Sequence, residues 1–143
     1  MHVSNEVASI LNMIFSYAKD AHYEYATPEL MLYMICANSV FSNAFARCGG
    51  DIKRLEGDLK GYLDRYMEEV NDAEHTPELS EAMSEVLVRA WESAQNSGKA
   101  VAELSHIVHA IYQLEDSYAV YYMTVQNVEH AQLLQEMAII NGE

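Results

Sequence analysis

Residues 7–18, VASILNMIFSYA, and residues 83–94, MSEVLVRAWESA, decide the fold of this chain. In the first stretch, apolar side chains recur at the spacing that forms one stripe of an amphipathic helix. In the second stretch the stripe returns at an offset of 76 residues, so that Leu11 corresponds to Leu87 and Phe15 to Trp91. Both stretches predict a helix with one face in the core, and both aromatic residues are expected on that face.

The same offset recurs beyond this first pair of helices and indicates a duplicated unit. It takes the cap residue of a predicted fourth helix, Asp51, to a predicted cap at Asn127. Single amphipathic stripes match by chance, whereas several helices at one ungapped offset indicate an internal repeat. The apolar residues of a second and a sixth helix also match: Met31, Leu32 and Ile35 with Ile107, Val108 and Ile111.

Start and stop signals divide each copy into four helices. Ser4 is an N-cap residue before the first helix, and Thr27-Pro28-Glu29 combines an N-cap with a proline in the first turn. Gly49-Gly50 ends a third helix. In the second copy Gly98 ends the first helix, and three more helices are expected. The predicted fold class is all-α, with two tandem four-helix repeats packed as a pseudo-two-fold helical bundle.

One domain is expected, spanning residues 1–143. Repeat 1 covers about residues 5–70, and repeat 2 covers about residues 80–140. The polar, acidic stretch at about residues 71–79, which includes Pro77, links the two repeats. A connection this short joins parts of one domain and does not separate independent domains.

Acidic residues dominate the charge, with 22 Asp and Glu against 8 Lys and Arg and a net charge of -14. This charge repels phosphate groups, so neither nucleic acid nor an anionic membrane is an expected partner. The longest apolar run, residues 30–37, is too short to span a bilayer, and the N-terminus lacks the features of a signal peptide. Cys36 and Cys48 show no C-x-x-C spacing and are expected to be reduced core thiols. Together these features predict a cytoplasmic protein.

The sequence carries no motif for catalysis or for a cofactor. Residues 93–100 come nearest to a P-loop, but they lack its first glycine and its final hydroxyl group. There is no G-x-S-x-G motif, and neither cysteine has a base close to it in the sequence. We therefore expect a non-catalytic domain with no catalytic residues and no cofactor.

A metal site is the sharpest alternative of the enzyme class. Glu103 and His106 have the spacing of a di-iron carboxylate motif, and His109 lies one turn further on. Such a site in a helical bundle requires a second motif of the same kind, but the other copy carries Thr27 and Leu30 at these positions. We expect no metal, and the alternative is a metalloenzyme that uses Glu103, His106 and His109.

Four tyrosines exceed what one helix face can bury. Tyrosine is enriched at protein interfaces, so an exposed tyrosine patch favours a binding function. The residues concerned are Tyr23, Tyr25, Tyr121 and Tyr122.

Several stretches resemble the N-terminal domain of the Clp ATPases, hexameric AAA+ unfoldases that feed proteins to a peptidase. Residues 11–15, LNMIF, followed by residues 24–29, EYATPE, are most similar to the A-type, ClpA. The resemblance covers nearly the whole chain. It continues through Ala44, Cys48, Asp51 and Leu55 and returns at residues 86–87, 89–90, 97–98 and 110–111.

The resemblance implies that this domain docks adaptors and substrates for an ATPase ring. The implied partners are a ClpS-like adaptor and substrate polypeptides, and indirectly the parent ClpA hexamer and its ClpP-like peptidase. The glutamates that dock the adaptor in the family match Glu24 and Glu29. We expect Glu29 on an exposed first turn of its helix, and we expect the isolated domain to be a monomer.

Two departures from the family pattern bear on the type of domain, and the second argues against the C-type. The family often has histidine after the T-x-E glutamate, and Leu30 stands there in this chain. The C-type relatives bind phosphoarginine with a glutamate in both repeats, whereas the second copy offers Ser105. The alternative is a C-type domain or stand-alone regulator that recognises phosphoarginine or another adaptor, with at most one such site.

Overall fold

The computed structural model describes residues 2–143, which form eight helices and two very short strands. The strands are β1 (Tyr25–Ala26) and β2 (Glu78–Leu79), which pair in parallel. Because each strand has only two residues and helices make up the rest of the regular structure, the all-α prediction is confirmed. The helices are α1 (Asn5–Asp20), α2 (Pro28–Ile35), α3 (Ser39–Arg47), α4 (Ile52–Tyr66), α5 (Glu81–Asn96), α6 (Leu104–Tyr112), α7 (Tyr118–Thr124) and α8 (His130–Ile140).

The helices α1 and α5 have the same local structure at both ends. Ser4 and Ser80 cap them with the same backbone conformation, φ -64° and ψ 161°. Each cap hydroxyl accepts a hydrogen bond of 3.1 Å from the backbone N–H three residues on. Both helices end in the left-handed region, at His22 (φ 61°) and at Gly98 (φ 71°). The offset of 76 residues therefore holds for the first helix of each repeat.

The offset becomes 78 residues in the second part of each repeat, so the prediction of one ungapped offset is wrong. The buried residues Leu55 and Leu59 of α4 correspond to Leu133 and Met137 of α8. The cause is the α6–α7 loop, residues 113–117, which is two residues longer than the α2–α3 loop, residues 36–38.

Asn127 is accordingly not a helix cap, contrary to the prediction. Its backbone has a left-handed φ of 59° just after α7, and it corresponds to Gly49 (φ 85°) after α3. The N-cap of α8 is Glu129, which matches Asp51 at the offset of 78. Asparagine tolerates this left-handed conformation better than most residues other than glycine.

The two repeats pack across each other rather than side by side. Helix α3 contacts α8, and α4 contacts α7, so each pair joins one helix from each repeat. The extended segments cross as well, because Ala26 pairs with Leu79 and Val3 pairs with Ala102. The backbone N–H of Ser80 donates to Ala26 O at 3.0 Å, and the N–H of Ser4 donates to Ala102 O at 2.9 Å. These paired contacts follow a pseudo-two-fold relation.

One continuous hydrophobic core fills the space between the repeats. Phe41 and Phe45 stack with ring centroids 5.6 Å apart, and both are fully buried. Gly50 lies so close to this cluster that a Cβ atom there would clash with the Phe45 ring and approach Val128 Cγ2 to 2.9 Å. Gly50 therefore leaves no room for a side chain where α3 meets the segment that precedes α8.

Phe15 and Trp91 do not lie in the core, contrary to expectation. Both side chains are half-buried, and the Trp91 ring packs edge-on against His2 with centroids 6.0 Å apart. Cys36 does lie in the core, where burial raises the pKa of its thiol to about 12. Cys36 and Cys48 are both free thiols.

The connection between the repeats is hydrogen-bonded to α1 and to β1. The Lys19 ammonium donates to the carbonyl oxygens of Ala73 at 2.9 Å and His75 at 2.6 Å. Strand β2 lies inside this connection and pairs with β1. No helix within residues 2–143 is long and apolar enough to cross a membrane.

Candidate functional site

A groove with a volume of about 680 Å³ lies where the two repeats meet at the N-terminus of α2. Helices α4 and α5 and the α6–α7 loop form its other walls. Because it is built from both repeats, its shape depends on the pseudo-two-fold packing. The lining residues are Thr27, Pro28, Glu29, Tyr62, Ser80, Ala82, Glu85, Arg89, Gln113, Leu114, Glu115, Asp116, Ser117 and Tyr118.

Glu29 lines this groove but is buried, with 6% of its surface exposed. The prediction of an exposed first turn is therefore wrong. Thr27 caps α2 by accepting a hydrogen bond from the N–H of Leu30 at 3.2 Å, which places Glu29 in the first turn. The Ser117 hydroxyl in the longer α6–α7 loop then donates to Glu29 Oε2 at 2.7 Å. A carboxylate at a helix N-terminus is stabilised by the helix dipole as well.

Glu24 lies nearby on the chain but does not line the same groove. Its side chain is half-buried, and its backbone is fixed on two sides. The N–H of Glu24 donates to Glu68 O at 2.9 Å, and its carbonyl accepts from Glu78 N at 3.2 Å. The charge of Glu24 is the main cause that raises the pKa of Tyr25, and Glu68 and Glu78 add to it. Glu24 thus belongs to an acidic edge beside β1, and the structure does not bring it together with Glu29.

The groove is strongly acidic. Its lining contains four carboxylates, from Glu29, Glu85, Glu115 and Asp116, and one base, Arg89. Arg89 is already occupied, because its Nη2 and Nε donate to Glu85 Oε1 at 2.7 and 3.0 Å. Such a surface attracts cationic groups and repels anionic ones.

Comparison with known proteins establishes the family of the chain. The family model described as "Clp repeat (R) N-terminal domain" matches residues 2–126. The chain belongs to this family. The family assignment agrees with the resemblance to Clp ATPases noted from the sequence, whereas the A-type is not distinguished by it.

Solved structures of Clp N-terminal domains share the fold at low sequence identity. The N-terminal domain of Hsp104 from Candida albicans has a TM-score of 0.85 and 14% identity, covering 99% of this chain and 93% of that one. The N-terminal domain of the ClpV1 ATPase from the E. coli EAEC Sci1 T6SS has a TM-score of 0.80 and 17% identity, covering 99% and 87%. A ClpV N-domain in complex with a VipB peptide has a TM-score of 0.76 and 16% identity, covering 96% and 86%.

The repeat gives this Clp N-terminal domain a second, related groove. Thr27, Pro28 and Glu29 of the first groove correspond to Glu103, Leu104 and Ser105 at the offset of 76. The second groove is lined by Ser4, Glu6, Glu103, Leu104, Ser105, Asn141 and Glu143. Both grooves are acidic, but only the first places a glutamate at the position of Glu29, as the sequence predicted.

Glu103, His106 and His109 are not gathered into a ligand set. His106 Nδ1 accepts a hydrogen bond from the Glu103 backbone N–H at 2.9 Å, which makes these residues a capping box for α6. His109 instead faces His130, with Nδ1 and Nε2 2.7 Å apart. Within residues 2–143, no cluster of three or more His, Cys, Asp or Glu side chains is placed to hold a metal ion.

Tyrosines form an exposed cluster beside the groove, but with different members from those predicted. Tyr23 is buried, with 4% exposed, and its hydroxyl donates to Leu63 O at 3.3 Å. Tyr25 lies on β1. Tyr121 and Tyr122 do join the cluster, which we call the tyrosine patch. It consists of Tyr62, Tyr66, Tyr118, Tyr121 and Tyr122 on α4 and α7.

Proposed function

We propose that this domain docks adaptors and substrate proteins for a ClpA-like ATP-dependent unfoldase in the cytoplasm. The observation that carries the proposal is the acidic groove at the N-terminus of α2, which holds Glu29 in a chain of the Clp N-terminal family. On this proposal the chain itself does not catalyse a reaction, and the energy for unfolding comes from ATPase modules of the parent protein.

The chemistry of the groove supports a polypeptide ligand with a basic group. A lysine or arginine entering beside Glu29 would meet a carboxylate that is shielded from water and held by Ser117. Charged pairs that lose water on binding contribute more than exposed ones. Phosphoarginine, the ligand of the alternative C-type role, is less well suited, because its phosphate would face four carboxylates.

The proposed partners follow the family. A ClpS-like adaptor is the direct partner, with substrate polypeptides as further ligands, and the ClpP-like peptidase is reached indirectly through the hexamer. The related ClpV N-domain with its VipB peptide supports peptide docking as a use of this fold. We expect the isolated domain to bind as a monomer.

The test is a calorimetric titration of the host's ClpS-like adaptor against the wild-type chain and two neutralised variants. Glu29→Gln removes the charge in the groove while keeping the shape, so we expect affinity to fall about tenfold or more. Glu24→Gln should have a smaller effect, because its half-buried carboxylate lies on the neighbouring acidic edge.

Glu129→Gln is the matched control. Glu129 also lies at a helix N-terminus, is exposed, and makes no side-chain cap hydrogen bond. The Glu129→Gln variant should therefore bind the adaptor with the affinity of the wild-type chain. Equal affinity for all four proteins would remove both glutamates from the docking site, and no binding to the wild-type chain would reject the ClpS-like partner.

A further inference from the structure

The tyrosine patch is a continuous network of rings centred on Tyr118. The Tyr118 ring stacks on Tyr66 with an interplanar angle of 12° and a centroid distance of 6.2 Å. Its centroid also lies 5.2 Å from Tyr62, 6.1 Å from Tyr121 and 5.8 Å from Tyr122. Five aromatic faces from α4 and α7 therefore share one surface.

Most of this surface faces solvent. The exposed fractions are 60% for Tyr66, 48% for Tyr118 and 56% for Tyr121. Aromatic rings in the core of a protein are more completely covered, and large exposed apolar patches mark sites of interaction.

The fold itself does not require these rings. The contact of α4 with α7 is repeated by the pseudo-two-fold relation as the contact of α8 with α3. At the offset of 78, the residues that correspond to Tyr62, Tyr118, Tyr121 and Tyr122 are Ile140, Val40, Asn43 and Ala44. These four positions are therefore not aromatic in the equivalent helix pair, whose own aromatic residues, Phe41 and Phe45, are buried instead of exposed. The exposed rings of the patch thus need a separate explanation.

Carboxylates border the patch on several sides. Burial and the charge of Glu29 raise the pKa of Tyr62, and burial and the charge of Asp58 raise the pKa of Tyr122. Glu115 and Asp116 lie just before α7. Two cations lie nearby: Arg65, whose charge lowers the pKa of Tyr122, and Arg89, which lines the groove with Tyr62 and Tyr118 and is paired with Glu85. Acidic groups therefore outnumber basic ones around the aromatic faces.

We propose that the tyrosine patch binds arginine side chains of an extended polypeptide segment. A guanidinium group is planar, so it stacks on a tyrosine face and donates in a bidentate manner to a carboxylate at the edge. Lysine offers only a point charge with stronger hydration. Rings and bordering carboxylates occur together here, and arginine is the side chain that uses both.

The patch adjoins the groove and extends beyond it, so this inference goes beyond the docking role proposed above. Tyr62 and Tyr118 border the groove of Glu29, whereas Tyr66, Tyr121 and Tyr122 lie outside its lining. Tyr66 and Tyr121 can therefore be substituted while every residue that lines the groove stays in place, and peptide binding is measured without any adaptor.

The test uses Gly-Ser peptides that carry two arginines, two lysines or two glutamates, titrated into the full 143-residue chain and followed by amide chemical shifts. We expect the arginine peptide to shift amides of α4 and α7 around residues 62–66 and 118–122. The lysine peptide should bind about two- to fivefold more weakly, since it loses stacking on a ring.

The double variant Tyr66→Leu with Tyr121→Leu keeps apolar side chains but removes two aromatic faces. It should bind the arginine peptide about fivefold or more weakly than wild type. Met13→Ala, which removes an exposed apolar side chain on α1, is the matched control and should bind like wild type.

Equal binding of the arginine and lysine peptides, with no loss in the double variant, would overturn the proposal and leave only charge attraction. Shifts confined to other helices would overturn it as well, and this readout needs no variant. A proline-rich peptide that binds more tightly than the arginine peptide would also reject arginine as the ligand of the patch.

Discussion

His109 and His130 share a hydrogen bond between their imidazole rings, with His109 Nδ1 and His130 Nε2 2.7 Å apart. The Tyr112 ring stacks on His130 at a centroid distance of 4.5 Å and an interplanar angle of 7°. One of these two nitrogens must donate and the other must accept, so only one of them carries a proton. A proton on both nitrogens would break the hydrogen bond. The pair links α6 to α8.

We predict that this pair makes the domain sensitive to acid. Burial lowers the pKa of His130, and the neighbouring His109 lowers it further. The unfolded chain therefore binds a proton at His130 more readily than the folded chain does. The free energy of unfolding should thus decrease as the pH is lowered below about 6.5, the ordinary pKa of histidine. The measurement is urea unfolding at pH 7.5 and at pH 5.5.

His130→Gln removes the titrating group, so the loss of stability between the two pH values should be smaller than in wild type. The comparison cancels the effect of the other titrating residues, which both proteins share. The same pH dependence in both proteins would show that the pair does not contribute.

Gly50 is predicted to be intolerant of a side chain. Gly50→Ala forces a Cβ atom against Phe45 and Val128, and overpacking of this kind costs about 1–3 kcal/mol. Gly57→Ala in α4 is the matched control, because a Cβ there meets no atom within 4 Å. Since alanine suits a helix better, the control should gain about 0.5–1 kcal/mol. Equal melting temperatures for the two variants would contradict the close approach at Gly50.

The contact between Ser117 and Glu29 should stabilise the fold as a coupled pair. Hydrogen bonds to charged groups contribute about 1.5–3 kcal/mol, so Ser117→Ala should destabilise the domain. Ser117 also caps α7 by accepting a hydrogen bond from the N–H of Ala119. The stability lost in Ser117→Ala alone therefore exceeds the contribution of its contact with Glu29. A double-mutant cycle with Glu29→Ala, which leaves no acceptor for the Ser117 hydroxyl, should give a coupling energy of about 0.5–3 kcal/mol. Strict additivity would mean that the two side chains do not interact in solution.

Trp91 is expected to contribute less than a core aromatic residue. Its ring is half-buried, so Trp91→Ala should cost less than the roughly 3–5 kcal/mol lost when a fully buried aromatic is truncated. Phe45→Ala, at a fully buried position, provides the upper reference in the same unfolding experiment. A cost for Trp91→Ala as large as that for Phe45→Ala would place Trp91 in the core after all.

Local signals predicted much of the fold because they act within one or two turns of helix. Helices α1 and α5, the caps Ser4 and Asp51, and the stop at Gly98 all appear where the sequence places them, although Phe15 and Trp91 lie outside the core. The position of Asn127 was missed because a longer loop shifts the second part of the repeat, and helical stripes fit more than one offset.

The candidate site was harder to predict, since it depends on contacts that are distant in the sequence. Ser117 covers Glu29 from 88 residues away, and no local pattern signals this contact. Tyr23 and Tyr121 look alike in the sequence, yet one is buried under α4 and the other is exposed. The run Tyr118 to Tyr122 was the available signal for the tyrosine patch, but its partners Tyr62 and Tyr66 come from the other repeat.

The crossed pairing of Val3 with Ala102 and of Ala26 with Leu79 has the geometry of an isologous interface. The segment before the first helix of each half finds its hydrogen-bond partner only on the other half. A chain made of one such half would leave that edge and the helix faces of α3 and α4 uncovered, and two identical halves would satisfy each other as a symmetric dimer. The covalent connection turns this assembly into a single molecule, so the two halves are free to differ, and only one of the two equivalent helix pairs, α4 with α7, carries the tyrosine patch.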